Sequence, residues 1–417
     1  MLAKAKSALI IFIFITNQLL AQVYDYSSLK LDKPDLRFPV IKTEQLDNGI
    51  KLYYSDENSV PLFNIFILLK YPSTEQSKFT QLIQSRIAMN HDARIDSLVM
   101  LGAEYTSSPI EGGLLLSWSI LSEYSDILLE LIKNTFTKIT IPEYTSLSSS
   151  DKKAPKRASE VADIEFDNRL FDVDSSAIKI DKMIRQDTIK IIVGITGIFN
   201  LDRAKAVLNN MRNAITYPAN SEDEIIYSHK YAGIQTMVRT NSRLKTDYLR
   251  MGYLVPGIRD DNYFPLLIAS EIIDHNLLYE IRMQKGLAYQ INCNYLFNEN
   301  IGKILISARI DPGKTEKVVE NIDTLLSKIS KGKIDQEDLD IARSTLEFNF
   351  LRKIANTSLL LKEIMQFEAF DLPDNYVSEY FKRIEKTTVT DVQNILKSRL
   401  SPDNLVTVIL SSVNSNK

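Results

Sequence analysis

The sequence predicts an α+β fold made of two tandem copies of one unit, each an antiparallel or mixed β-sheet covered by helices. Strand-like and helix-like spacings of apolar residues follow one another in the same order in both halves of the 417-residue chain. The glycine spacing also repeats, because Gly49 and Gly102 are 53 residues apart (102 − 49) and so are Gly233 and Gly286 (286 − 233). A duplicated unit is the simplest explanation of this internal repeat.

The first copy occupies the first half of the chain. A turn at 46–49 opens a strand pair, and a buried apolar strand ends the copy. The segment 146–174 is predicted to be a loop, since Ser and charged residues dominate it. The predicted strands are 50–54, 60–70, one around Tyr105, 114–120 and 191–195, and the predicted helices are 78–90 and 124–137.

The second copy repeats this order. A helix begins near Pro265 and stops at Gly286, and a strand begins directly after it. Long helical patterns replace the polar loop of the first copy, and an apolar strand again closes the unit. These last elements are predicted helices at 336–354 and 358–370 and a predicted strand at 405–410.

The first residues have the features of a secretory signal peptide. Lys4 and Lys6 precede an apolar run at 8–15, and we expect cleavage after Ala21. Polar residues interrupt the run before the roughly 20 apolar residues that a bilayer span needs, so no stable membrane anchor is expected. The mature chain is predicted to be exported, to the periplasm. The predicted segments are therefore 1–21 (signal peptide), 22–219 (first domain) and 220–417 (second domain), with the domain boundary near 218–224.

The composition excludes one class of partner and one kind of stabilisation. A net charge of −3 leaves no basic surplus for a phosphate backbone, so nucleic acid is not expected to bind. The single cysteine, Cys293, cannot form an internal disulfide. The fold must therefore be stabilised by packing.

One stretch, 281–289, carries residues suited to binding a peptide. Arg282 lies in the last turn of a predicted helix and Tyr289 in the strand after Gly286, so the two flank one helix-to-strand corner and can reach one ligand. A guanidinium and a phenol donate hydrogen bonds, which a peptide carbonyl needs as it becomes an oxyanion. A structural interpretation is the alternative, because Arg in a last helical turn complements the helix dipole and Tyr is common in strands.

This corner is similar to the one in pitrilysin/insulinase-family zinc peptidases, in which an Arg and a Tyr seven residues later contact the substrate peptide. The resemblance covers residues 46–411 and implies two tandem insulinase-like (LuxS/MPP-like) two-layer domains. It also implies that Arg282 and Tyr289 are the catalytic and substrate-binding residues of this chain, contacting the substrate carbonyl or oxyanion only within a complex. The link at 274–276 is shorter than its counterpart in the family.

The zinc motif of active family members is absent. In those enzymes His-x-x-Glu-His lies on the first helix after the opening strands, and a catalytic zinc needs about three protein ligands. Segment 78–86 contains neither His nor Glu. The only histidines are His91, His229 and His275, too far apart in sequence to be ligands one helical turn apart. We predict no metal ligand in this chain.

An Arg/Tyr pair without the zinc motif resembles the non-catalytic subunit of heterodimeric family members. The resemblance implies a substrate-positioning subunit of an exported insulinase-type zinc metallopeptidase that degrades or processes peptides. The chain alone is then expected to be inactive, with zinc held by a homologous partner subunit. The alternative is an exported peptide-binding or scaffold protein derived from such a peptidase, which binds peptides by strand addition and has no role in hydrolysis.

Overall fold

A computed structural model gives the fold. It describes residues 39–56, 59–70, 84, 98–110, 113–136, 157–170, 190–211, 235–240, 243–331, 334–400 and 404–412. The predicted signal peptide, the predicted domain boundary and all of the predicted helix at 78–90 except Gln84 lie outside these residues. In the part of the chain that is described, no helix is both long enough and apolar enough to cross a membrane.

The first half forms one sheet with helices against it. Its strands are β1 (Lys42–Gln45), β2 (Lys51–Ser55), β3 (Leu62–Lys70), β4 (Glu104–Ile110), β5 (Gly113–Leu121) and β6 (Lys190–Gly197). Its described helices are a 3-10 turn (Ser122–Tyr124), α1 (Ser125–Phe136), α2 (Ala158–Leu170) and α3 (Leu201–Leu208). Strands β3 and β6 are apolar and buried along most of their length, as expected for central strands with both faces covered.

The second half forms a second sheet with a thicker helical layer. Its strands are β7 (Gln235–Thr240), β8 (Asp247–Pro256), β9 (Ala288–Phe297), β10 (Ile301–Ile310) and β11 (Val406–Ser411). Its described helices are α4 (Tyr263–Asn276), a π-helix (Leu277–Gln284), α5 (Thr315–Ser330), α6 (Gln336–Ile354), α7 (Thr357–Ala369), α8 (Tyr376–Lys386) and α9 (Val389–Arg399). The predicted helices at 336–354 and 358–370 are confirmed as α6 and α7.

The two sheets have the same strand order. The first runs β1-β2-β6-β3-β5-β4 and the second β7-β11-β8-β10-β9, so they match strand for strand once the extra edge strand β1 is set aside. In each sheet one pair is parallel, β2 with β6 and β7 with β11, and the other matching pairs are antiparallel. Gly233 lies outside the described residues, but β2 begins two residues after Gly49 and β7 two residues after Gly233. The predicted fold, two mixed sheets covered by helices, is confirmed.

Two local predictions for the first half are wrong. The turn at 46–49 joins β1 to β2, and β6 lies between β2 and β3, so the predicted strand pair does not exist. The closing strand takes the central place because it can pair with both neighbours. The predicted loop at 146–174 contains helix α2, whose buried residues Ala162, Phe166 and Leu170 make only a narrow apolar stripe at four-residue spacing. Such a helix is stabilised by what it packs against and not by local propensity.

Helix α7 belongs to the second half by sequence but packs against the first sheet, on β6, β3 and β2. Leu361, Met365 and Ala369 form its buried stripe there. The contact is close at Gly194 of β6, where a Cβ atom would lie 2.5 Å from Met365 Sδ. The first-half residues buried with this stripe are Tyr53, Phe66, Leu68, Leu115 and Ile192.

Helix α2 makes the reciprocal contact. It belongs to the first half but packs on β8 and β11 of the second sheet. Phe166 and Leu170 are buried there against Leu305, Val406 and Val408. Each sheet is therefore covered on one face by a helix from the other half. In keeping with this exchange, the described residues between 39 and 412 form one compact unit.

Ion pairs join each of the two exchanged helices to the sheet that it covers. Beside α7, Glu368 accepts hydrogen bonds from Lys51 (2.8 Å) and Lys190 (2.7 Å), and Asp371 accepts from Lys190 (2.8 Å) and Arg259 (2.7 Å). Burial alone would raise the pKa of Glu368, but these lysines outweigh burial and hold its pKa below the ordinary value. The exchanged helix α7 thus presents carboxylates to basic residues of the first sheet.

The carboxylates of α2 meet basic residues of the second sheet in the same way. Asp163 accepts from Arg250 Nε at 2.5 Å, and Asp167 pairs with Lys303. At both contacts, carboxylates from the exchanged helix or the turn after it pair with basic residues on the strands of the other half. This charge pattern favours the exchanged arrangement over each helix returning to its own sheet.

Candidate functional site

The helix that carries Arg282 changes its hydrogen-bonding pattern before it ends. Helix α4 continues without a break into the π-helix, which carries Arg282 in its last turn. Leu277 and Ile281 anchor the π-helix because both are buried in the second-half core. The short link predicted at 274–276 is thus absorbed into one continuous helical segment. A π-helix is rare and often lies at a functional site.

Gly286 ends this helix, as predicted. Its φ of +58° lies in the left-handed region, and a Cβ atom there would meet nothing within 4 Å. The Gly286 N–H donates to the carbonyl of Arg282 (3.2 Å), and the N–H of Leu287 donates to that of Ile281 (3.0 Å). Left-handed geometry at the first residue beyond a helix reverses the chain, and glycine adopts it without steric cost.

Strand β9 begins with a β-bulge at Tyr289. Ala288 pairs with Ile310 of β10, whereas Gln290 pairs with Arg309, so Tyr289 is an extra residue with no direct partner. A bulge bends the strand and re-aims the side chain that it carries. The phenol of Tyr289 therefore leaves the regular alternation of the sheet.

Both predicted site residues lie on the surface of this corner. Tyr289 is 75% exposed and Arg282 is exposed. Neither side chain forms a hydrogen bond or an ion pair within the described residues, and the structure shows no contact between the two. The guanidinium of a third residue, Arg309, lies 5.8 Å from the centre of the Tyr289 ring, within reach of a cation–π interaction. Arg309 was not predicted as a site residue.

This arrangement offers hydrogen-bond donors to a ligand. The guanidinium groups of Arg282 and Arg309 and the phenol of Tyr289 belong to exposed residues at this corner, and none has a hydrogen-bonding partner among the described residues. Donors of this kind suit a carbonyl, an oxyanion or a carboxylate. Because the corner is open to water, its electrostatic effect would become large only when a ligand or another subunit covers it.

The first half contains the matching corner, where the tyrosine is less exposed (37%) and packs on an aromatic neighbour. Gly102, with a φ of +78°, follows the helical residues 98–100, and Tyr105 is the second residue of β4 as Tyr289 is of β9. Tyr105 pairs directly with Trp118, with the ring centres 5.0 Å apart. Leu98, four residues before the glycine as Arg282 is, is buried in the core.

The family's catalytic zinc does not fit the residues that the structure describes. No group of three or more His, Cys, Asp or Glu side chains among them could hold a metal ion. The described histidine, His275, lies exposed on α4, and His91 and His229 are outside the described residues. Of the residues at 78–86, where the family motif would lie, Gln84 is described, and its amide donates to the Ser107 carbonyl (3.2 Å).

Helix α2 lies in the region where the family's third zinc ligand would be expected, and it carries two glutamates, Glu160 and Glu165. Glu165 pairs with Arg239 of the second sheet (3.2 Å), and Glu160 accepts from the backbone N–H of Arg157 at the start of the helix (3.2 Å). Helix α2 faces the other half of the molecule. Neither carboxylate therefore belongs to a metal site within the described residues.

Comparison with known proteins agrees with this geometry. Residues 181–346 match the family model of the Peptidase M16 inactive domain. The fold is similar to a crystal structure of a peptidase M16 inactive domain from Pseudomonas fluorescens, with a TM-score of 0.70, 17% identity and coverage of 90% of this chain and 99% of that one. The sequence matches none of the curated proteins with which it was compared.

Two further solved structures share the fold. A protease from Helicobacter pylori aligns with a TM-score of 0.66 and 16% identity, over 89% of this chain and 100% of that one. The periplasmic protease PqqL from Escherichia coli aligns with a TM-score of 0.60 and 13% identity, over 92% of this chain but 48% of PqqL. The chain thus spans about half the length of PqqL.

Sheet order and helical layers give the fold that these M16-type structures share. Over residues 181–346 the chain is similar to the Peptidase M16 inactive domain, and thus to the pitrilysin/insulinase family. The full sequence contains no His-x-x-Glu-His motif.

Proposed function

We propose that this chain is the substrate-positioning subunit of an exported, heterodimeric insulinase-type zinc metallopeptidase. The observation that carries the proposal is the open corner, where Arg282 and the bulged Tyr289 are exposed and have no hydrogen-bonding partner within the described residues. Exposed donors without partners are what a subunit would present to a shared substrate. The catalytic zinc and its water belong to a homologous partner subunit in this proposal.

In such a complex the residues of this chain bind and orient. Arg282 and Tyr289 donate hydrogen bonds to a carbonyl of the bound peptide, and these bonds strengthen as negative charge develops on the oxygen. The partner excludes water from the corner, which lowers the local dielectric and increases the effect of both donors. Zinc in the partner supplies Lewis-acid polarisation and an activated water.

The comparisons support two parts of this proposal, the size of the assembly and the export of the chain. The match to PqqL covers about half of that chain, so a second M16-type unit beside this chain would give an assembly of similar size. PqqL is a periplasmic protease, in agreement with the signal peptide predicted at 1–21. The substrate-processing role depends on the corner itself.

The test uses the mature chain assembled with the zinc-bearing homologue of the same organism, recognised by its His-x-x-Glu-His motif. Tyr289→Phe removes one donor and Arg282→Lys removes the planar fork while keeping charge. Each is expected to lower kcat roughly 10²-fold with little change in KM, because the lost bonds matter most in the transition state. The thermal midpoint should stay constant.

Matched controls lie on the same half of the molecule. Tyr279→Phe changes an exposed tyrosine of the π-helix, and Arg352→Lys changes an exposed arginine of α6. Both should keep full activity. Full activity of Tyr289→Phe and Arg282→Lys would instead assign the pair a structural role, and loss of assembly in either would assign the corner to the subunit interface.

The isolated chain gives a second test. It should bind no stoichiometric zinc and cleave no peptide, because it lacks the ligand set of a tetrahedral catalytic site. Metal analysis of the purified chain checks this. One equivalent of zinc lost on His91→Ala would contradict the proposal.

The alternative function, peptide capture without hydrolysis, is favoured by one observation. Strand β9 is the edge of the second sheet, so its outer backbone groups are available for strand addition by an extended peptide. The two functions differ in their dependence on a partner. A capture protein would bind peptides equally well alone, and no exported zinc-bearing homologue would associate with it.

A further inference from the structure

The side of β9 and β10 that faces away from the second-half core carries a row of polar side chains. Ile291 and Cys293 of β9 and Ile306 and Ala308 of β10 point into the core. Because side chains alternate along a strand, their neighbours point to the opposite face. These neighbours are Gln290, Asn292, Ser307 and Arg309, which we call the open face.

The open face is a continuous patch. Cross-strand pairing puts Gln290 beside Arg309 and Asn292 beside Ser307, so the four side chains form two adjacent pairs. Helix α2 covers the neighbouring part of the same face, where Leu305 is packed against it. The patch therefore lies between α2 and the free edge of the sheet at β9.

None of the four side chains forms a hydrogen bond or an ion pair with another described residue. The acidic residues near them in sequence are already paired: Asp311 with Lys314 (3.0 Å), Glu280 with Lys328 (3.4 Å) and Glu299 with Lys70. Arg309 instead lies over the ring of Tyr289. A guanidinium restrained on an aromatic face loses less conformational entropy when it binds a ligand.

We infer that Arg309 is a specificity residue that selects peptides with an acidic side chain, with the open face as their binding surface. This inference rests on the proposed function, because it assumes that an extended peptide crosses the corner at Tyr289. A guanidinium offers a bidentate fork that matches a carboxylate. The amides of Gln290 and Asn292 both donate and accept, so they can bond any extended backbone that runs along β9.

The unpaired positive charges around the corner are a second reason to expect a preference for acidic peptides. Arg282 and Arg309 both lack an ion pair within the described residues, so a ligand that brings negative charge gains from both. A basic peptide would gain from neither. Because the chain as a whole carries a net charge of −3, this preference is local to the corner.

The test measures direct binding to the mature chain. The probes are two fluorescein-labelled peptides of about ten residues, blocked at both ends, identical except that two central Glu residues in one are Gln in the other. We expect the Glu peptide to bind about tenfold more tightly, since a charge-assisted hydrogen bond is roughly twice as strong as a neutral one. Raising the salt to about 0.5 M should reduce this ratio.

Arg309→Gln should bring the ratio close to one while leaving the affinity for the Gln peptide within about twofold. Arg352→Gln is the matched control, because Arg352 is an exposed arginine on α6, which packs on α4 at the opposite side of the sheet. It should leave the ratio unchanged. A third peptide with Gln side chains and a free C-terminal carboxylate tests the other source of the same charge, and its preferred binding over the Glu peptide would overturn the inference.

The outcomes separate this inference from the proposed function. Equal binding of both blocked peptides, with Tyr289→Phe and Arg282→Lys still impairing turnover in the complex, would overturn the role of Arg309 alone. Retention of the Glu preference in Arg309→Gln would do the same. Binding of none of the peptides to the mature chain would overturn the role of Arg309, whereas the proposed function is tested separately by turnover in the complex.

Discussion

The two helix-to-strand corners occupy matching places in the duplicated fold but differ in how the side chains around them are packed. In the first corner Leu98 is buried and Tyr105 packs on Trp118. In the second, Arg282 is exposed and Tyr289 is re-aimed by a bulge. Each turn has a glycine with positive φ three residues before the tyrosine. The hydrogen bonds that close the turns differ, because the Gly102 N–H donates to the Val99 carbonyl and the Gly286 N–H to the Arg282 carbonyl. The glycine is therefore common to both corners, and the preceding helix and the surrounding side chains distinguish them.

The difference arises from two local irregularities of the backbone, a π-helix and a β-bulge. The π-helix alters the direction in which the last helical turn presents its side chains, and the bulge removes Tyr289 from the pairing that holds Tyr105. The direct pairing of Tyr105 with Trp118 shows the regular alternative. A corner that is closed by packing stabilises the fold, whereas an open one leaves its polar groups for a partner.

Exchanging the residue types found four positions before each glycine should give the largest difference in unfolding free energy between the two corners. Leu98→Arg places a charge in the first-half core and is expected to cost about 3 kcal/mol or more of unfolding free energy. Arg282→Leu should stay within about 0.5 kcal/mol because its side chain is exposed. Urea denaturation measures both, and equal effects would mean that the corners are equally packed.

Truncating the two tyrosines should give the next largest difference. Tyr105→Ala removes an aromatic pair and part of its buried area, at an expected cost of about 2 kcal/mol. Tyr289→Ala should cost less than about 0.5 kcal/mol, since the ring is 75% exposed. If thermal and urea unfolding show Tyr289→Ala to be as damaging, the bulge has a structural role.

Stability should also depend on pH through the helix that leads to the second corner. Burial, together with repulsion from Asp274, raises the pKa of Glu271 to about 7. A carboxyl with a raised folded-state pKa binds its proton more tightly when folded, so stability falls as pH rises from about 4.5 to 7. Glu271→Gln should remove about 1 kcal/mol of that fall, after allowance for solvent screening of a half-buried group. Urea midpoints at pH 5 and pH 7.5 check this, and an unchanged slope would contradict it.

Substituting the glycines should give the smallest difference. Gly102→Ala and Gly286→Ala each force a left-handed conformation on a residue with a Cβ atom, at a cost of about 1 kcal/mol. The added methyl group would meet no atom within 4 Å at either position, so backbone strain is the whole of the expected effect. The two costs should agree within about 0.3 kcal/mol in urea denaturation, because both glycines have positive φ and open space at the Cβ position. A clear inequality would show that strain at positive φ is not the whole effect.

The sequence was informative where one local pattern determines an element. The equal glycine spacings predicted the duplication, and α6 and α7 were predicted from their long helical patterns of apolar residues. The corner was predicted for the same reason, from helical spacing before Gly286 and a strand after it. Arg309 was not predicted as a site residue, although the hairpin pattern of the sequence could have placed it beside the corner. A hairpin turning at 298–300 pairs 297 with 302, and counting back along both strands puts Gln290 beside Arg309.

Features that depend on distant residues could not be predicted. Helix α2 is stabilised by a sheet more than 70 residues further along the chain, so its own sequence looks like a loop. The central place of β6 follows from pairing with two strands at once. The bulge at Tyr289 needs the partner register of β10, which no alternation along β9 alone reveals. The sequence therefore predicted that Arg282 and Tyr289 flank one corner, but it did not predict that both side chains are exposed.

The exchange of α2 and α7 limits how the gene for this chain can change. A gene that encoded only the second half would leave Leu305, Val406 and Val408 without the helix that covers them. A gene that encoded only the first half would expose the sheet around Gly194 in the same way. Each half therefore needs the other to cover its apolar sheet, whatever chemistry either of them performs. The two halves can be inherited only together.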